Sequence, residues 1–209
     1  MVIVPSLYLG NLAYYKTLFE NKCYKIEAFE HYNKQSFRSR VNILGANGRL
    51  ALSIPIVKSE NSKQLMKDVK IEYVMQWQKQ HWRSIVSAYK SSPYFEEYEE
   101  MFAPHYHKKE TFLFDFNQNL HATVLECFEG RFSKGDVTTT FQTSELMAEN
   151  GDFSLCEELS SKKKEFCNGS FSPYYQVFNE KFDFEDNLSI IDYLFCEGTS
   201  NIVNYFNND

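Results

Sequence analysis

The chain has no CxxC pair, and its five cysteines (Cys23, Cys127, Cys156, Cys167, Cys196) are odd in number and widely spaced. That argues against a disulfide framework or a zinc site and for free thiols in a reducing cytoplasm. No apolar run approaches the roughly 18 residues of a membrane span. The opening MVIVPSLYLG is apolar but short, lacks a basic region and is broken by Pro5, so no signal peptide is expected. Excess basic charge is missing too. A net charge of −6 and an isoelectric point near 5.5 argue against a general nucleic-acid binder. Neither a Walker loop nor a GxGxxG stretch occurs, which excludes an ordinary P-loop or Rossmann nucleotide site. No internal repeat is found. The expectation is a soluble cytoplasmic protein whose 209 residues can form one substantial core. The oligomeric state is left open.

Aromatic side chains are abundant, with 14 tyrosines and 19 phenylalanines. They suit large packed surfaces or a ring-lined pocket. The longest stretch of one period is Trp77–Glu100, WQKQHWRSIVSAYKSSPYFEEYEE. Wound as a helix, it places Trp77, His81, Ser84, Ile85 and Ala88 on one side, with Trp82, Val86 and Tyr89 on the flank. Ser91-Ser92-Pro93 stops it, and a second helix starts at Pro93 with Glu96 and Glu97 in its first turn.

The elements expected before it are a strand at Val2–Val4 and a helix over Leu12–Glu20 capped by Asn11. A strand at Cys23–Phe29 and an extended stretch from Lys34 to Asn42 follow. Asn47-Gly48 is expected to turn that stretch into a return strand over Arg49–Val57, with Leu50, Leu52, Ile54 and Ile56 alternating. A polar loop (residues 58–67) and a strand at Val69–Val74 lead into the long helix. Downstream come a loop at Pro104–His107, a helix across Thr111–Phe128 and a weakly patterned connector or insertion at 130–168. A C-terminal helix from Leu188 ends at Gly198, and Ser200 starts a last short one. The order indicates an α+β fold: a mixed or antiparallel sheet in the N-terminal third, packed under helices, and a mostly helical C-terminal half. One domain over residues 1–209 is expected.

In an extended 34–42 stretch, Lys34, Ser36, Arg38, Arg40 and Asn42 share one face at period two. Paired arginine forks suit a phosphate or carboxylate. The alternative is pairing with Glu27, Glu30 or other surface acids, which is worth little. His81 can act as general acid or base, or sit as a hydrogen-bonded structural histidine. His31, just before the basic stretch, is the substitute if His81 is inaccessible. Tyr94, Glu97 and Tyr98 can position a substrate or simply pack and solvate. His105 and His107 form an H-x-H without a third ligand nearby, so no metal is expected. No cofactor is implied, and no cysteine has an activating context.

Three blocks together resemble the WbqC-like family: HYNKQSFRSRVNILGANGRLALSIPI (31–56), the Trp77–Glu100 stretch, and NLSIIDYLFCEGTSNIVNYF (187–206). Many relatives open with QPxYFPWxGxF. Here VPSLYLGNLAYY keeps Pro5, Tyr8 and Gly10 but lacks the Gln and the Trp. The resemblance implies an association with bacterial surface-polysaccharide, lipopolysaccharide and O-antigen synthesis. It further implies an enzyme, with group transfer among the reactions open to it, acting on a nucleotide-linked or amino sugar. On that reading Lys34, Arg38, Arg40, Asn42 and Tyr8 bind an anionic small-molecule substrate, and His81, Tyr94 and His31 are the catalytic candidates. A non-catalytic module for an anionic metabolite and an accessory interaction protein are the competing readings.

Overall fold

The computed structural model of the chain describes residues 2–21, 24–59, 64–128, 153–155 and 171–208. Strand β1 (Val2–Pro5), helix α1 (Leu12–Glu20) and strand β2 (Tyr24–Glu27) form a βαβ unit. Its strands run parallel, from Val2 opposite Tyr24 to Pro5 opposite Glu27. Asn11 caps α1 by accepting from the Tyr14 N–H at 3.1 Å, as its sequence position predicted. A short strand within residues 153–155 (β5, Phe153–Ser154) pairs parallel with the other edge of β1. Val2, Ile3 and Val4 are buried, as suits a central parallel strand covered on both faces.

The second sheet is an antiparallel hairpin of β3 (Arg40–Gly45) and β4 (Gly48–Ser53). The turn holds Ala46 and Asn47, and Gly48 opens the return strand at φ +96°, a conformation that favours glycine. Four helices complete the first part of the core and its C-terminal cover: α2 (Trp77–Tyr89), α3 (Phe95–His107), α4 (Leu113–Cys127) and α5 (Ile190–Glu197). A last helix, α6, spans Ile202–Asn208. Helix α2 lies on β3, α3 and α5, with Trp77, His81, Ile85, Ala88 and Tyr89 buried. The α+β class holds.

Three local expectations are corrected. The basic stretch is not extended from Lys34: residues 34–39 are turns, Gln35 sits at φ +59°, and the strand begins at Arg40. The Ser36 hydroxyl donates to the Asn33 carbonyl at 2.7 Å, a local bond that competes with strand geometry. A period-two cationic face therefore never forms. Residues Pro104–His107 belong to α3, where Tyr106 is buried; packing of that ring outweighs the hydrogen bond that Pro104 cannot donate. Val69–Val74 makes only isolated bridges, Lys70 with Phe112 and Ile71 with Ile56. Leu50 is exposed, because β4 buries only Leu52. The expected connector at 130–168 lies outside the described residues except for 153–155.

Candidate functional site

Beyond β1 the chain turns sharply through residues 6–10 to enter α1. Leu9 takes φ +45°, and the loop is tied at several points. The Tyr8 N–H donates to the Phe37 carbonyl at 3.0 Å and the Ile190 N–H to that of Gly10 at 2.9 Å. The Ser189 hydroxyl donates to the Leu9 carbonyl at 2.8 Å. A second non-glycine residue at positive φ, Asn187 at +51°, faces the same spot. Such conformations persist only where the surroundings over-determine them. Between the two strained residues lies a notch lined by Tyr8, Asn11, Arg40, Asn42, Asn187 and Ser189. Its interior, ≈ 10 Å³, holds about one water. That is room for a single small functional group.

Behind the notch runs a buried hydrogen-bonded relay. The Tyr8 hydroxyl meets His81 Nδ1 at 2.9 Å and the Tyr106 hydroxyl at 2.9 Å. His81 is only 5% exposed, and Trp77 stands edge-on to its ring, centroids 5.0 Å apart. Burial lowers the imidazole to a pKa of about 4, while a hydrogen bond with the Ser53 backbone works the other way. That opposing sign is the one a carbonyl facing a ring N–H produces. The ring is therefore neutral at pH 7 with its proton assigned to Nε2, so Nδ1 accepts from Tyr8 and Tyr8 accepts from Tyr106. Burial raises both tyrosines and keeps them protonated.

The predicted residues divide. Tyr8, Arg40 and Asn42 meet at the notch, with His81 one hydrogen bond behind it. Arg40 is half-exposed, and its Nε donates to the Ser53 hydroxyl at 2.9 Å. Among the described residues it makes no ion pair, so the terminal nitrogens of its fork remain open. Arg38 does the reverse. It is 3% exposed and grips Glu30 with two nitrogens, Nε to Oε1 at 2.7 Å and Nη2 to Oε2. This is the carboxylate pairing weighed against ligand binding, but in a buried form. Asn117 Nδ2 donates to the Arg38 carbonyl at 2.8 Å and fixes the turn.

Lys34 and His31 are exposed, and His31 bridges Leu65 through the backbone. Tyr94 packs over Gly198, where an added Cβ would come within 2.9 Å of its ring. It thus sits at the C-terminal end of α5, whereas the notch lies at that helix's N-terminal end. Among the described residues no group of three His, Cys, Asp or Glu side chains is placed to hold a metal ion.

Two buried clusters were not singled out from the sequence. His121 joins Tyr15 through Nδ1 at 3.0 Å and Tyr24 through Nε2 at 3.2 Å, and burial lowers it to about 4. The available signal was Asn117 and His121, two polar residues one turn apart on an apolar helix face. Asp192, fully buried, accepts from the Tyr89 hydroxyl at 2.7 Å, the Tyr174 hydroxyl at 2.6 Å and Gln176 Nε2 at 3.0 Å. Burial raises its carboxyl, and the three donors partly oppose that. The signal was an acid inside the apolar run IIDYLFC.

The model of the WbqC-like protein family matches residues 6–163. The chain belongs to the WbqC-like family. No curated protein and no solved structure matches it. The matched span holds the Tyr8, Arg40, Asn42 and His81 positions, whereas Asn187 and Ser189 complete the notch from beyond it. Among the described residues no helix of this WbqC-like chain is long and apolar enough to cross a membrane.

Proposed function

We propose that this chain is an enzyme of bacterial surface-polysaccharide synthesis. Its substrate is an anionic sugar, nucleotide-linked or amino-bearing, whose charged group seats at the notch of Tyr8, Arg40 and Asn42. The reading rests on family membership together with one observation: the open fork of Arg40 shares a strained polar notch with Tyr8, whose hydroxyl touches a neutral imidazole. In this reading the substrate hydroxyl or amine gives its proton to the Tyr8 oxygen as the Tyr8 proton passes to His81 Nδ1. An anion held on Arg40 favours the imidazolium and raises the basicity of His81. Group transfer is the reaction that such a base serves.

The burial of His81 and the size of the notch favour a second reading, a non-catalytic module that binds the same anion. Thermal shift with uridine-diphosphate sugars, glucuronic acid and glucosamine 6-phosphate tests both, because a ligand that prefers the folded state raises the midpoint. Arg40→Ala is expected to abolish the shift, and a shift that survives it removes the notch as the site. His81→Gln separates the readings: an enzyme keeps the shift and loses turnover of the shifting compound, while a binding module has no turnover to lose.

A further inference from the structure

The segment beyond the family-matched span builds a second cleft. Its volume is ≈ 520 Å³, enough for a ring-sized ligand without rearrangement. Tyr193 and Tyr205 form its floor, with ring centroids 4.8 Å apart. The Tyr205 hydroxyl donates to the Ser172 carbonyl at 2.7 Å, which holds that ring in place. Tyr175 forms one wall and is 43% exposed. Its backbone N–H donates to Glu197 Oε1 at 2.9 Å.

The polar groups around that wall are open. Glu197 Oε2 has no hydrogen-bond partner among the described residues, and neither does the Asn179 side chain. Asn201 accepts from Asn204 at 3.0 Å through Oδ1, which leaves its NH₂ group available. Among the described residues no lysine or arginine lines the cleft, so none of them would compensate a phosphate or carboxylate. What the walls offer is one open aromatic face, one carboxylate acceptor and two amides. An aromatic face packs against the C–H side of a pyranose, hydroxyls donate to a carboxylate, and amides donate to or accept from neighbouring hydroxyls.

We propose that this cleft binds a neutral pyranose unit of a glycan, seated on Tyr175 and hydrogen-bonded by Glu197, Asn179 and Asn201. Its described lining comes from residues 172–205, shares none with the notch at Arg40, and the site stands whether or not that notch binds an anion. Two sites of opposite preference on one chain would let it hold a charged sugar and a glycan unit together.

The test is saturation-transfer NMR on the full chain with glucose, galactose, rhamnose, N-acetylglucosamine and maltose, each at about 10 mM to suit millimolar affinity. Transfer to at least one sugar is expected, with the dissociation constant about five- to tenfold weaker in Tyr175→Ala, the worth of one aromatic contact. Both Tyr175 and Asn179 are exposed, so Tyr175→Ala and Asn179→Ala leave the core packed, and a thermal midpoint equal to wild type checks this. Arg40→Ala is expected to bind as wild type does. No transfer to any of these sugars overturns the proposal, as does binding untouched by both cleft variants. Loss in Arg40→Ala alone overturns it too, by moving the sugar to the notch.

Discussion

Two buried histidines make the stability of this protein depend on pH in a definite direction. His81 and His121 each ionise near 6.5 when solvated, and burial lowers both to about 4 in the folded chain. Between those values the unfolded chain binds protons that the folded chain refuses, so stability present above pH 6.5 is lost as pH falls toward 4. At about 1.4 kcal/mol per pH unit, each ring contributes about 3 kcal/mol, a large share of the roughly 5–15 kcal/mol of a typical domain. Asp192 works the other way. Its raised carboxyl is relieved as it protonates, so it offsets part of the loss in the acidic end of the window. Urea unfolding at pH 7, 6 and 5 measures the slope. His121→Gln keeps a donor and an acceptor for Tyr15 and Tyr24, and it is expected to remove about half of the loss in this window. Stability that rises on acidification from pH 7 to 5, or a slope the same in wild type, His121→Gln and His81→Gln, would refute the reasoning.

Asp192→Ala leaves the Tyr89 and Tyr174 hydroxyls without their acceptor, while Gln176 keeps the Glu185 carbonyl at 2.9 Å. At about 1–3 kcal/mol per unsatisfied buried group, a loss of at least about 2 kcal/mol is expected in urea unfolding, while Asp192→Asn, which keeps an acceptor oxygen, costs less than half as much. Arg38→Ala removes the two-nitrogen grip on Glu30, whose side chain is 10% exposed, and is expected to cost about 3–5 kcal/mol. Arg40→Ala is expected to stay within about 0.5 kcal/mol of wild type. Equal stability of the two arginine variants would show that Arg38 is not the structural member of the pair.

Much of the local architecture was legible because its causes are local. The Asn11 cap and the period of Leu12, Tyr15 and Leu18 act within a few residues, so α1 falls on the predicted span. Asn47-Gly48 marked the hairpin, and Gly198, at φ +70°, ended α5 as expected. The aromatic helix α2 likewise buried Trp77, His81, Ile85 and Ala88, four of the five side chains expected on its inner face. The α+β class follows from that element order.

Which polar groups meet was decided only in three dimensions. Tyr8 and His81 are 73 residues apart in the chain, Tyr15 and His121 are 106 apart, and Tyr89 and Asp192 are 103 apart. No spacing rule reaches so far, because the partner of a buried donor is whichever acceptor packing brings beside it. The same holds for the basic stretch. Its residue types announced an affinity for carboxylates, and the sequence by itself determined that much. Whether the carboxylate would be a ligand's or Glu30's depended on the turns at 34–39, which rotate Arg38 into the core and leave Arg40 at the rim. Desolvation inside the fold then holds Arg38 to Glu30, since either charge left alone there would cost several times what an exposed pair is worth.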